Sequence, residues 1–437
     1  MLKSNNSTNG QQLEKRQRVA IVGAGFGGMQ AAQSLARSGV EVMLIDRNNY
    51  QTFVPLLYQV ATAQIEPEKI AYPIRTIVRS SPNIRFLMAE VEHIDFANKV
   101  IKTDNTSITY DYLVLATGSQ TQFLGIPGAS EYAFSMRNLG EAIALRERIF
   151  SCFEKAAQHS DPISREHLLT FAIVGGGGTG VEVAGALSES LKVLAKDYPT
   201  LDLRQGRIIL LQSSDRLLPD LPQKLGNYTY KRLLQMGVKV HLNAKVSRVI
   251  RGGVYLHDGE SIPAATVVWT AGMEAVYPTI SEKLFITAKS KLIVNPTLQL
   301  PGRSNVYAIG DLAYVEQRGK PLTGVAPEAL QQGVAVAKNI KRHLQGKKPQ
   351  RFKYFNKGRL AIIGSYSGVG KIGPFEFGGF LGWFMWLGVH LVYLPGYRSR
   401  LLVLLSWLHT YLVGDRTARS IVFSKTTLQK TPERLYR

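Results

Sequence analysis

Cysteine is almost missing from this chain: Cys152 is the only one in 437 residues. A single thiol excludes an intramolecular disulfide, a Cys-x-x-Cys redox pair and a cysteine-caged zinc site, and no other metal-ligand cluster stands out. The N-terminal stretch 1–17 lacks the apolar core of a signal peptide; its Ser, Asn, Gln and charge read as a disordered tail. The folded body is therefore expected on the cytoplasmic side of any membrane it touches. Acidic residues are few beside basic ones, 32 Asp and Glu against 53 Lys and Arg, for a net charge of +21. Such a surface favours anionic partners, whether nucleic acid, phosphorylated cofactors or lipid headgroups. Apolar residues make up 45%, ordinary for a globular protein and too few for a polytopic membrane protein. The length allows two or three domains.

What the sequence does contain is a pattern used twice. Arg18 to Val22 reads as a buried strand, followed by a glycine cluster, an alanine-rich helix from Met29 to Ser38, and a second strand from Val40 to Ile45 that ends at Asp46. Later, Leu169 to Val174, Gly175 to Gly180, Val181 to Ala195 and Arg207 to Leu211, ending at Gln212, repeat the order strand, glycine turn, helix, strand. Each is a β-α-β unit of a parallel sheet, so the fold class is α/β with two Rossmann-like dinucleotide-binding domains. Between them lie a strand from Ile108 to Ala116, ending in Thr117 and Gly118, and a helix from Leu139 to Ala157. Strands from Val267 to Ala271 and from Asn305 to Ile309 run into Gly272 and Gly310-Asp311.

The first turn, Gly23-Ala24-Gly25-Phe26-Gly27-Gly28, fits G-x-G-x-x-G. Gly23 permits the tight turn, Gly25 lets a pyrophosphate approach the backbone, and Gly28 lets the helix sit close on the sheet. Asp46 lies where a carboxylate bonds a ribose hydroxyl. Gly175, Gly177 and Gly180 repeat the spacing, but the acid's place is taken by Gln212. An acid there repels the 2′-phosphate of NADP and a neutral amide does not, with Arg216 as its positive partner, so NADPH, or either nicotinamide, is the favoured donor; Gln212 bonding the 2′-hydroxyl of NAD is the other reading. Asp311 reads either as an acceptor for a cofactor's hydroxyls or as an N-cap. Glu182, two residues past the second turn, is more simply a carboxylate favoured by the helix dipole; the sharper alternative is a proton-handling group near a nicotinamide.

The C-terminal part is different in kind. Phe377 to Leu394 is nearly all apolar and stops at Pro395-Gly396; Arg398 and Arg400 precede a second apolar run from Leu401 to Val413. A single transmembrane anchor, a pair of helices lying in one leaflet, and a buried hairpin or dimer interface are the readings, of which in-plane membrane attachment is favoured. The final stretch adds Arg416, Arg419, Lys425, Lys430, Arg434 and Arg437, suited to anionic headgroups. Trp383, Trp386 and Trp407 lie in or beside the apolar runs, so nucleic acid is not the expected partner.

These residues resemble the type II NAD(P)H:quinone oxidoreductases, within the flavoproteins that carry two dinucleotide-binding domains. The resemblance rests on VAIVGAGFGG, FVPLLYQVAT, LVLATGS, AIVGGGGTGVEVAGAL, VVWTAG, NVYAIGD, VAPEALQQG and the apolar C-terminal block, and it spans nearly all of Arg18 to Val422. It implies FAD on Gly23, Gly25, Gly27 and Gly28, with Asp46 and Arg47 at the adenosine, Val91 near the adenine, and Thr117, Gly118, Gly310 and Asp311 completing the site. It implies NADH or NADPH on Gly175, Gly177, Gly180, Gln212 and Gly272. Glu182 matches the family's GVE carboxylate, placed near nicotinamide and quinone. The family's A-Q-x-x-x-Q quinone motif is represented by Ala326 and Gln331, with Pro327 replacing the first glutamine. Gln212 departs from NADH-preferring members and is similar to a cyanobacterial and plastid branch that uses NADPH and reduces naphthoquinones, including a vitamin K precursor. The resemblance further implies membrane association, a quinone partner and a possible homodimer.

The expected order is thus a tail, 1–17; a first part of the FAD domain, 18–135; an NAD(P)H domain, 136–290; a second FAD part with the quinone region, 291–375; and membrane-associating helices with a basic tail, 376–437. A ferredoxin-type flavoprotein reductase and a dinucleotide-binding redox sensor without fast turnover are the alternatives in function.

Overall fold

The computed structural model describes residues 16–421 except 195, 203–205, 288, 414–417 and 419. Most of the expected N-terminal tail, and the basic residues Arg416, Arg419, Lys425, Lys430, Arg434 and Arg437, lie outside the described residues. The chain divides into two compact units. One takes the chain up to Asn49, Ile74–Gly118 and Ala275–Tyr354; the other takes Tyr50–Pro73, Ser119–Glu274 and the chain from Phe355 on.

The first unit is built on a five-stranded parallel sheet in the order Val306–Ala308, Tyr112–Leu115, Arg18–Val22, Glu41–Asp46, Ile84–Met88. Its central strands are unbroken apolar runs because both faces are covered; Ile21, Leu44, Ile45, Leu113 and Val114 have no exposed surface. The helix Phe26–Ser34 starts directly on the glycine turn, earlier than Met29, and ends before Arg37, whose φ of 55° leaves the helical region. It lies against the helix Ala326–Leu344 with very little space between backbones. A Cβ on Gly333 would stand 2.4 Å from the Gly27 carbonyl oxygen. The run expected as one strand from Ile108 to Ala116 is two, Ser107–Thr109 and Tyr112–Leu115. Asp111 makes the break: its carboxylate accepts from the Arg18 N–H at 2.7 Å and its own N–H donates to the Arg18 carbonyl at 2.9 Å. The chain therefore leaves a small antiparallel sheet and joins the parallel one at that residue.

The second unit repeats the architecture: a parallel sheet in the order Ala133–Ser135, Thr266–Trp269, Thr170–Val174, Arg207–Leu211, Val238–His241. The helix Gly178–Leu194 follows its glycine turn. A three-stranded antiparallel sheet, Arg359–Gly364, Ser367–Ile372 and Phe375–Gly379, leads into two helices, Phe380–Tyr393 and Tyr397–Leu412.

The apolar run from Phe377 is thus divided, its first residues pairing in the sheet and the rest forming a helix of 14 residues. At ~1.5 Å per residue such a helix spans about 21 Å, against a hydrocarbon core of about 30 Å. No helix among the described residues is long and apolar enough to cross a membrane. The reading of one spanning anchor is thereby corrected. The break between the helices is fixed by Gly396, with φ 73°, where any Cβ would stand 1.8 Å from the Tyr72 hydroxyl oxygen. One side of the pair buries Trp383, Trp386, Val403 and Trp407, while Phe380, Phe384, Leu405, Leu408 and Leu412 remain exposed.

Candidate active site

In the first unit the glycine turn has the steric form that a pyrophosphate cradle needs. Gly23 has φ 101° and faces the Ala116 carbonyl oxygen, which a Cβ would meet at 2.3 Å. A Cβ on Gly28 would stand 1.8 Å from the Gly23 carbonyl oxygen, so nothing larger lets the helix begin there. Gly25 and Gly118, by contrast, look into open space. Asp46 closes the neighbouring strand and accepts from the Ala24 N–H at 2.7 Å and the Asn48 N–H at 2.8 Å, so one carboxylate oxygen holds the turn. Arg47 is exposed beyond it, and half-buried Val91 packs on the unit's core. Thr117 donates its hydroxyl to the Val276 carbonyl. Gly310 and Asp311 begin a single turn of 3-10 helix after the strand Val306–Ala308. An open backbone edge facing a helix N-terminus is what FAD's pyrophosphate requires, so these residues fit the cofactor.

Ala326 is the first residue of the helix Ala326–Leu344, and Pro327 the second, positions where a missing N–H costs nothing. Glu328 caps the same turn, accepting from the Gly324 N–H at 2.8 Å and the Val325 N–H at 3.3 Å. Half-buried Gln331 shares this helix with a residue the sequence reading missed, Gln332. Buried Gln332 accepts from the Gly310 N–H at 2.6 Å and so sets the loop that carries Asp311. Its signal was only its place beside Gln331.

The second unit's turn follows the same plan. Gly175 has φ 113°, and a Cβ on Gly180 would stand 1.8 Å from the Gly175 carbonyl oxygen, while Gly177 faces open space. Gly272, φ 75°, lies where a Cβ would meet the Gln122 carbonyl oxygen at 2.6 Å. Buried Gln212 stands as Asp46 does: its amide oxygen accepts from the Gly176 N–H at 2.8 Å. Its NH2 donates to the Ser214 hydroxyl at 2.6 Å and the Arg216 carbonyl at 3.2 Å. The side chain is thus already engaged in shaping the loop.

A cleft runs along the helix Gly178–Leu194. Glu182, Ala186 and Glu189 of that helix form one wall; Tyr58, Gln64 and Tyr411 face them, with Ile362, Gly364 and Ser365 closing the third side. The space between them is narrow and partly open to solvent. Glu182 shows some surface yet is surrounded by protein, and burial pushes its carboxyl up to about 8, against hydrogen bonds from the Ile362 backbone and the Trp386 indole. Burial first, then Tyr411 and Glu182, hold the Tyr58 hydroxyl well above its usual range. Tyr58 accepts from the Gln59 amide at 2.9 Å, and Gln59 in turn accepts from the Trp407 indole at 2.8 Å. His390 stacks on Trp386 with ring centroids 3.9 Å apart and donates to the Trp386 carbonyl at 2.7 Å; burial pulls its pKa down to about 4. The C-terminal helices, for which membrane attachment was the favoured expectation, therefore also contribute Tyr411 to the cleft and the Trp386 indole to Glu182.

Residues 17–333 match the family of pyridine nucleotide-disulphide oxidoreductases. The chain is 38% identical over 442 residues to the type II NADH:quinone oxidoreductase Ndh of Mycobacterium tuberculosis, covering 97% of this chain and 95% of that one. The chain belongs to the type II NADH:quinone oxidoreductases. A Staphylococcus aureus member of the family is 28% identical over 82% of this chain and 90% of its own. Among solved structures, NDH2 from Plasmodium falciparum in complex with NADH superposes with a TM-score of 0.85 at 20% identity, over 94% of this chain and all of that one. As a type II enzyme this protein is an oxidoreductase with FAD as its cofactor and a nicotinamide dinucleotide as its substrate. With only Cys152, buried in the second unit, it has no counterpart of the disulfide in its wider family's name.

Proposed function

We propose that this type II enzyme catalyses NAD(P)H:quinone oxidoreduction in two halves, the nicotinamide leaving before a membrane quinone is reduced. The observation that carries the reading is Glu182: a carboxyl kept protonated near neutral pH, in a cleft that Tyr58 and Tyr411 also line, on the helix that starts at the second glycine turn. FAD, when bound, supplies the two-electron centre between donor and acceptor. Gly23, Gly25, Gly27, Gly28, Asp46, Arg47, Val91, Thr117, Gly118, Gly310 and Asp311 are its holding residues in this proposal. Gly175, Gly177, Gly180, Gln212 and Gly272 orient the nicotinamide dinucleotide, and Gln331 with Ala326 borders the quinone. Glu182 gives the proton that a reduced quinone oxygen needs, and Tyr58 stays protonated as a donor beside it.

NADPH is accepted as well as NADH. Gln212 presents no negative charge to a 2′-phosphate, and the Arg216 guanidinium lies on the same loop, donating to the Pro219 carbonyl at 2.7 Å. The acceptor is a naphthoquinone, following the resemblance to the branch that lacks the acid. The exposed face of Phe380, Phe384, Leu405, Leu408 and Leu412 lies in one leaflet, with Arg398 and Arg400 at headgroup level and the catalytic units on the cytoplasmic side.

Anaerobic stopped-flow tests the whole reading: reduction of the bound flavin by NADH and by NADPH, then reoxidation by naphthoquinone and benzoquinone analogues. Fast bleaching by both donors and fast naphthoquinone reoxidation is the expected result. Bleaching by NADH alone removes the NADPH claim, and failure of every quinone to reoxidise the flavin removes the acceptor.

A further inference from the structure

Tyr58 and Gln59 are neighbours on the short helix Leu57–Ala61, and both are buried, Gln59 completely. The backbone around them is fastened. The Tyr58 carbonyl accepts from the Thr62 hydroxyl at 2.8 Å and from the Thr62 N–H at 3.0 Å, and the Gln59 carbonyl accepts from the Gln64 N–H at 2.7 Å. From this fixed base the two side chains serve different neighbours. Tyr58 lines the cleft with Glu182, whereas Gln59 reaches the helix Tyr397–Leu412.

The side-chain amide of Gln59 fits only one way round. The Trp407 indole N–H donates and cannot accept, so the atom 2.8 Å from it is the Gln59 amide oxygen. That leaves the NH2 on the other side, 2.9 Å from the Tyr58 hydroxyl oxygen, and an NH2 only donates. The three groups thus form a chain running in one sense, from indole to amide to phenol, and each bond polarises the next. A hydroxyl that accepts from one side carries its own proton in another direction. Tyr58 lines the cleft, and its hydroxyl lies within electrostatic reach of Glu182.

We propose that Gln59 is a positioning residue for quinone reduction: held by Trp407, it turns the Tyr58 O–H into the cleft as a hydrogen-bond donor to a quinone carbonyl oxygen. This rests on the quinone-reducing reading above. Gln59 acts through Tyr58 alone, and Trp407 acts through Gln59. Without the indole, the amide is free to turn over and present its oxygen to Tyr58, whose proton then points at Gln59 and away from the quinone. Without an NH2 at position 59, the hydroxyl loses the bond that fixes its rotation. Either way the phenol stays in place while its proton no longer faces the acceptor.

The test is a double-mutant cycle in anaerobic stopped-flow on the flavin-loaded enzyme, with menadione as oxidant and Gln59→Met, Tyr58→Phe and the two together as variants. Methionine matches glutamine in length and offers its sulfur to the Trp407 indole as a weak acceptor, but it has nothing to donate to Tyr58. Each single variant is expected to slow reoxidation about tenfold and the double variant no further, with flavin reduction by NADH at the wild-type rate throughout. Trp407→Phe carries the same cycle where Gln59→Met fails to load flavin, since it keeps Gln59 and removes only the donor that orients it. A purely structural Gln59 gives losses that multiply in the double variant, or slows flavin reduction as well, and overturns the proposal. Wild-type reoxidation in Gln59→Met with Tyr58→Phe slow also overturns it and leaves the quinone reading standing. Wild-type reoxidation in Tyr58→Phe removes the donor role of Tyr58 and this inference with it. Only a wild-type enzyme that menadione fails to reoxidise removes the quinone reading itself.

Discussion

The carboxyl of Glu182 has its pKa raised to about 8 by burial, and the sign of the consequence is definite. A group that holds its proton more tightly folded than unfolded stabilises the fold fully in acid and loses that contribution as pH rises through its folded pKa. Thermal stability of the wild type is therefore expected to fall between about pH 4.5 and about pH 8, and Glu182→Gln to flatten that fall, as melting curves across the range will show. Quinone-dependent reoxidation should decline later, as pH rises through about 8, and Glu182→Gln should slow it by about 10²-fold or more. Gln212 is the second residue with a separable effect. A carboxylate at this position keeps an acceptor for the Gly176 N–H but adds a charge facing a 2′-phosphate and loses the donor to Ser214. The substitution Gln212→Glu should therefore weaken NADPH about tenfold more than NADH, read as the ratio of kcat/KM values. The tight approaches at Gly23, Gly28, Gly175 and Gly180 were legible in the sequence because a strand-turn-helix of this spacing allows so few residue types. The surroundings of Tyr58 and Gln332 were not, because they depend on what a distant strand or loop brings opposite them.

At the scale of elements, the helix Gly178–Leu194 makes two close backbone contacts along its length. Its first turn closes on Gly175, and its middle closes on the strand Arg359–Gly364 through Gly185. The two contacts are expected to fail independently. Gly180→Ala places a Cβ 1.8 Å from the Gly175 carbonyl oxygen and should raise the Kd for NADH about tenfold or more while flavin content stays intact. Gly185→Ala places one 1.6 Å from the Ile363 carbonyl oxygen, and should cost about 1–3 kcal/mol in denaturant unfolding and slow the quinone half-reaction. Strand and helix identities were readable from apolar runs and glycine turns, and the strands Arg18–Val22 and Arg207–Leu211 coincide with their expected limits. Where the reading failed, periodicity alone had no information. The apolar stretch beginning at Phe377 changes from strand to helix at Gly379, whose φ of 70° turns the chain, and hydropathy does not register that change.

At the scale of the whole molecule, a chain with 21 more positive than negative charges carries, between Phe380 and Leu412, two helices that bury one side and expose the other. Together these suit a surface that is both apolar and anionic. The wild type should sediment with vesicles containing anionic lipid, and less so as salt rises, since headgroup attraction is screened. Phe384, Leu405 and Leu408 replaced together by Asp should leave the enzyme in the supernatant while flavin reduction by NADH is unaffected. Retained sedimentation in that variant would remove the exposed helix face as the attachment surface.

The same two helices also concentrate the protein's optical signal. Of four tryptophans, Trp383, Trp386 and Trp407 lie in them, and Trp269 lies in the sheet of the second unit. Trp386 and Trp407 are buried with ring centroids 6.2 Å apart, so their emission will be coupled. Near-ultraviolet fluorescence of this enzyme is therefore a native gauge of its C-terminal end. A quinone analogue seated beside Tyr58 should quench it, whereas a nucleotide settling on the Gly175 turn should leave most of the light unchanged.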